Sequence, residues 1–140
     1  MKGIKELLLD ESPKNQKKLA KLLSKDPVSA SFLEAVKSEA RGSGAIDYPK
    51  LHTLVTDSFL CYHDFGIGGG LTILPISTIH NLYRTNMIGG EYDYDEFFLA
   101  VETESTVRYL MRLPRSGNGI DKYHDIIAAV RARMTVNGGM

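Results

Sequence analysis

At 140 residues, with 43% apolar and 24% charged side chains, the chain has the size and composition of one ordinary globular domain that can bury a core without staples, which excludes disordered and fibrous classes. Seventeen Lys and Arg balance seventeen Asp and Glu, so no overall field recruits nucleic acid or anionic lipid. The single Cys61 excludes an internal disulfide and a cysteine-built zinc site.

The N-terminal stretch "MKGIKELLLDESPKNQKK" has an apolar run too short for a secretory core, followed by Asp10 and Glu11 where small residues would be needed for cleavage. No stretch approaches the roughly 18–20 apolar residues that cross a bilayer. A cytoplasmic protein is the expectation. The chain divides near residue 50 into an N-terminal helical segment, 1–50, and a strand-rich part, 51–140, with one compact unit expected overall.

Ser12 followed by Pro13 is a helix start, since Pro fits the first helical position where an N–H has no partner to lose. Leu19, Leu22 and Leu23 then share a face, and the lysines between 14 and 25 lie mostly on the others. Asp26 and Pro27 repeat the same signal. Val28, Phe32, Leu33 and Val36 form the next stripe, and "RGSGA" at 41–45 ends it.

From about residue 51 the period changes to two. In "TLVTDSFLCYHDF", Phe59, Cys61, His63 and Phe65 point one way and Leu60 and Tyr62 the other, which is strand behaviour. "LTIL" at 71–74 and "ISTIHNLYRTN" at 76–86 read as further extended runs. "FFLAVETE" at 97–104 and "TVRYLMRL" at 106–113 alternate around Ser105 as a hairpin.

Ile120, Tyr123, Ile127, Val130 and Met134 recur at spacings of three and four, one helical stripe predicted to bury Tyr123, Ile127 and Val130 against the sheet. Asp121 and Asp125 near its start and Arg131 and Arg133 near its end suit the helix dipole. The fold class expected is α+β: helices, a bent antiparallel sheet, then a closing helix. Charge divides unevenly between the parts. Residues 1–50 hold ten Lys and Arg against seven Asp and Glu, and residues 51–140 hold seven against ten.

"GIGGG" at 66–70 raises the question of a phosphate-cradling loop. A dinucleotide loop needs Gly at position 71, where Leu stands, and a helix opening there, whereas Thr72, Ile73 and Pro75 favour a strand. No Lys-Ser or Lys-Thr pair follows, so a P-loop fails as well. The glycines read as a hairpin connection using positive φ values.

Cys61 and His63 share a strand face, but a free Cys is commonly buried and residues two apart on a strand rarely reach hydrogen-bond distance. The pairs His63–Asp64 and His124–Asp125 lack the helical surroundings and further ligands of a metal phosphohydrolase. "EYDYDE" at 91–96, taken as a calcium loop from Asp93, puts Phe98 where the turn glycine belongs, and reads as a solvated acidic loop. No catalytic residue, metal ligand or cofactor site is assigned.

The succession "LVTDSFLCYHDFG", "LTILPISTIHNLYRT", "FFLAVETESTVRYLMRL" and "IDKYHDIIAAVRARM", covering about residues 53–134, resembles bacterial pleckstrin-homology-like and GRAM-like domains. It is also similar to small proteins of Gram-positive bacteria that carry such a module behind two helices. The resemblance implies a partly open barrel closed by the C-terminal helix. Lipid-binding relatives hold inositol phosphates with Lys and Arg in the first inter-strand loop. The corresponding loop here, His63 to Gly70, has neither, so phosphoinositide binding is not expected.

A non-catalytic protein-interaction scaffold, including self-association as a homodimer through an uncovered strand edge, is the functional expectation. The alternative is a small-molecule-binding or hydrolytic protein whose site gathers His63, Asp64, Gly68, Gly69 and His80. Contact of the lysine-rich N-terminal helix with an anionic membrane is a third reading and is not favoured, because no apolar insertion feature accompanies the lysines. Nucleic acid is not an expected partner.

Overall fold

The computed structural model describes residues 3–63, 69–88, 90–92, 97–103, 108–113 and 120–137. It is an α+β fold with N-terminal helices, two antiparallel sheets and a C-terminal helix. The helices are α1 (Ile4–Leu9), α2 (Pro13–Leu23), α3 (Pro27–Ala30), α4 (Leu33–Ala40) and α5 (Tyr123–Asn137). The strands are β1 (Ile46–Tyr48), β2 (Thr53–Val55), β3 (Phe59–His63), β4 (Leu71–Pro75), β5 (Ile79–Thr85), β6 (Met87–Ile88), β7 (Glu91–Tyr92), β8 (Phe97–Thr103) and β9 (Arg108–Leu113).

Both proline start signals operate. Ser12 Oγ accepts the Asn15 N–H at 3.3 Å. Asp26 Oδ1 accepts from Val28 N at 3.1 Å and Ser29 N at 3.2 Å, capping α3. The expected second helix is interrupted, however, at Ser31 and Phe32. Splitting it turns Val28 out to 67% exposure and buries Ser29 in its place, so Val28 does not belong to the apolar stripe.

Helix α1 escaped the sequence reading. Its Ile4, Leu7 and Leu8 occupy one face and are buried. The backbone N–H of Lys5, at its start, is received by the carboxylate of Asp47 on β1, whose pKa is raised chiefly by burial. A side chain at Gly3 would collide with that carboxylate, so Gly3 keeps the approach open. Asn15, buried on α2, donates from Nδ2 to Leu7 O and Asp10 O, each at 2.7 Å, and so fixes the α1–α2 corner.

The strands form two sheets joined at a corner. Order β1-β2-β3-β4 makes the first, β5-β8-β9 the second, and β6-β7 is a separate hairpin whose Gly90 takes φ +86°. A 3-10 turn, Ile76–Thr78, carries the chain from one sheet to the other where a continuous extended run was expected. The first sheet also begins earlier than residue 51, with Ile46 facing Val55. The expected pairing of β8 with β9 occurs, antiparallel with Leu99 opposite Met111, while Ser105 lies outside the described residues.

The first sheet is apolar on both faces. Leu54, Phe59, Cys61, Leu71 and Ile73 pack with α1, α2 and α4. Val55, Leu60, Tyr62 and Leu74 face the second sheet and α5. The alternation predicted for β3 is therefore correct, but each phase meets a core. The N-terminal segment is thus a covering layer on the sheet.

Helix α5 closes the other side. Ile126 and Val130 are completely buried, while Tyr123, Ile127 and Met134 pack partly against the same core. The helix is rotated by about one residue from the expected stripe, so Ile126 and not Ile127 occupies its centre; the Ile120 side chain lies outside the described residues. The helix runs on to Asn137, which places the arginines short of its last turn. Arg133 instead donates to Gly44 O at 2.6 Å and Arg131 to Leu82 O at 3.3 Å. Ile126→Ala is expected to cost about 2–5 kcal/mol and Ile127→Ala less, because only the first leaves an enclosed cavity; equilibrium urea unfolding measures both.

Candidate functional site

Where α2 ends, β4 begins and β9 runs past, the described surface forms a cleft of about 270 Å³. Lys25 and Asp26 line it from the α2–α3 junction, Gly69, Gly70, Leu71 and Thr72 from the entry to β4, Tyr62 from β3 and Leu110 from β9. Strands β3 and β4 are antiparallel partners, so the glycine segment is a strand connection and no helix follows it.

Gly70 serves close approach, not a positive φ. A Cβ there would stand 2.8 Å from Leu22 O and 3.1 Å from the Lys25 side chain, which holds the entry of β4 against the end of α2. Gly66 and Gly68 lie outside the described residues. The loop contributes no cation of its own, but Lys25 lines the cleft from the α2–α3 junction.

Asp26 is not a free acid in this cleft. Besides the two backbone N–H groups on Oδ1, its Oδ2 accepts Ser29 Oγ at 2.8 Å. Ser29 Oγ in turn accepts the N–H of Ile73 at 2.9 Å, so α3 occupies the outward-facing backbone of β4. Glu39 on α4 does similar work at the β2–β3 turn: its Oε1 accepts Thr56 Oγ1 and Ser58 N, each at 2.7 Å.

The sequence-predicted site residues are not gathered here. Gly69 lines the cleft; Asp64 and Gly68 lie outside the described residues. His63 ends β3 opposite Leu71, and its N–H donates to His52 O at 3.0 Å. His80 lies exposed on β5, at the register shift between Ile79 and Asn81. The length of β4, about 13 Å at ~3.3 Å per residue, separates the end where His63 sits from the end that leads to His80.

Cys61 is fully buried beneath the N-terminal helices, and burial first, then Glu39, pushes its thiol far above its ordinary range. It is a core residue without access to a substrate. Among the described residues no group of three His, Cys, Asp or Glu side chains is placed to hold a metal ion. No helix among them is long and apolar enough to cross a membrane. The calcium-loop start, Asp93, is outside the described residues.

His52 was missed because its signal is conformational. It takes φ +52° at the end of a 3-10 turn, a left-handed backbone uncommon outside Gly and Asn. Burial first, then nearby His63, lowers its pKa. Lys25, Tyr62, Thr72 and Leu110 were missed because they meet only through long-range packing; the sole hint was Leu110 at an outward phase of its strand.

Among its described lining residues the cleft offers the Lys25 ammonium group, the Asp26 carboxylate, the Tyr62 and Thr72 hydroxyls, two leucine side chains and a strand edge. Comparison with protein-family models, with curated proteins and with solved structures finds no match.

Two measurements follow from these environments. Cys61 should stay unreactive toward a disulfide reagent in the native protein and react only after unfolding. A folded-state pKa for His52 below ~6.5 means that its contribution is complete above that pH and is lost as pH falls through the lower folded value. His52→Asn, which tolerates the left-handed backbone, should therefore flatten the loss of thermal stability between about pH 7 and pH 5.

Proposed function

We propose that the chain is a pleckstrin-homology-like module that works as a non-catalytic, strand-accepting interaction scaffold. The likeness is supported by strand number and order: four strands and three, set at a corner, with an amphipathic C-terminal helix covering one side. The β6–β7 hairpin is an added extension. The two sheets do not join into a closed barrel among the described residues, and the cleft lies where β4 and β9 diverge.

The observation that carries the interaction role is the contrast between sheet edges. Exposed edges invite pairing and are commonly blunted. At β4, Ser29 takes the N–H of Ile73, and Pro75 has none. At β5, Asn81 Oδ1 accepts the Leu82 N–H at 2.9 Å and Arg131 donates to the Leu82 carbonyl. Edge β1 lies beside α1. Among the described residues, edge β9 is paired with β8 alone, and its Leu110 lines the cleft.

Ladder phase identifies the groups available. Since both backbone groups of Leu82 are engaged away from β8, alternation across the register turns the backbone of Leu110 outward from β9. An extended peptide added there would donate and accept main-chain hydrogen bonds and seat alternate side chains beside Tyr62, Thr72 and Lys25.

Affinity capture from the native host tests this reading with two substitutions at one position. Leu110→Pro removes the outward N–H at a place where an edge strand tolerates proline, whereas Leu110→Ala keeps it. Proteins captured by the wild type and by Leu110→Ala should be lost with Leu110→Pro, at similar melting temperature. Retention of the same partners by all three would remove strand addition from the account.

A further inference from the structure

The lysines of α2 stand in a row. Lys14, Lys17, Lys18 and Lys21 recur at spacings of three and four, which sets them on one face, away from buried Asn15, Leu19 and Leu23, and all four are exposed. The cap residue Ser24 keeps a right-handed helical backbone, so Lys25 follows Lys21 by about one more turn, and Lys25 lines the cleft beside β9. The row therefore ends at the cleft.

Among the described residues no carboxylate pairs with any of these five ammonium groups. Helix α2 holds no acidic residue, although like charges at these spacings weaken a helix. Asp26, next to Lys25 in the cleft, has its oxygens engaged by Val28 N, Ser29 N and Ser29 Oγ at the start of α3. The fold keeps a cationic row and leaves its complement to a partner.

The form of the row selects among anions. Helix α2 has neither an arginine nor an aromatic side chain on which bases would stack. None of the large apolar side chains exposed among the described residues lies on it to enter a bilayer. A single file of charges leading out of a cleft suits a single extended chain.

We propose that the peptide added to β9 carries an acidic flank whose carboxylates lie along the row from Lys25 to Lys14 as the flank leaves the cleft. The identity of the partner rests on the strand-accepting reading; its chemistry is an extended segment of alternating apolar and polar residues joined to a run of Glu or Asp. From Lys14 to Lys25 the row is about 16 Å long at ~1.5 Å per residue, which an extended chain covers in about five residues at ~3.3 Å each. Opposite charge along that length also steers the encounter toward the edge.

Fluorescence anisotropy on the purified full chain, with labelled synthetic peptides, tests this partner. Each peptide has an alternating Val-Thr core and, at one end or the other, a flank of that length made of Glu or of Ser. At about 0.02 M salt the better Glu-flanked peptide is expected to bind at least about tenfold tighter than its Ser counterpart, and at about 0.5 M salt the two should converge as the row is screened. Lys17→Glu/Lys18→Glu should abolish the advantage while leaving Ser-flanked binding and the melting temperature unchanged, both positions being exposed. Leu110→Pro should weaken both peptides.

Equal binding of the Glu and Ser peptides overturns the acidic flank and leaves strand addition standing, as does an advantage that survives the double substitution. Binding of neither peptide overturns both readings. A Glu flank alone that binds as tightly as the whole peptide, indifferent to Leu110→Pro, overturns the join between row and edge. Tighter binding to phosphatidylserine vesicles or to a single-stranded oligonucleotide than to the Glu-flanked peptide gives the row to another anion and overturns the proposal as well.

Discussion

The four-stranded sheet is apolar on both faces, and the rest of the molecule answers that constraint. Leu54, Cys61 and Ile73 on one side, and Val55, Leu60 and Leu74 on the other, each need to leave water. A second sheet with α5 covers one face, and α1, α2 and α4 cover the other. Polar links then set the position of the helical layer: Asp47 at the start of α1, Glu39 at the β2–β3 turn and Ser29 at the β4 edge. Each supplies a backbone group with a partner that the ladder or the helix does not provide.

The same arrangement engages groups that could otherwise carry chemistry. The Cys61 thiol lies under the helical layer, and both oxygens of Asp26 are taken up at a helix start. Histidines on β3 and β5 are held apart by the strand that connects their sheets. The proposed scaffold role rests on backbone hydrogen-bonding capacity at the described edge of β9, beside the cleft.

Much of this architecture is legible in the sequence, for local reasons. Ser12-Pro13 and Asp26-Pro27 cap their helices through short-range hydrogen bonds, and Phe59 to His63 alternate because a pleated strand has period two. The strand following Gly70 needed only the β-branched residues and Pro75. What was illegible depends on distant partners. Helix α1 has six residues and forms because Asp47 and the sheet receive it. The break at Phe32 follows from packing, and the turn of α5 toward Ile126 from contacts on both sides of its stripe. The glycine pair at 89–90, between Ile88 and Glu91, was a readable two-residue hairpin signal. The cleft joins residues from Lys25 to Leu110, so no local pattern announces it.

Arg133 reaches from the last helix to the carbonyl of Gly44, 89 positions earlier in the chain. The inner face of the first sheet is thus finished by a helix synthesised after all of its strands. Until α5 emerges, Val55, Leu60 and Leu74 belong to a half-covered nascent chain, and loop closure over most of its length has to precede docking. During synthesis that apolar surface stays open until α5 arrives.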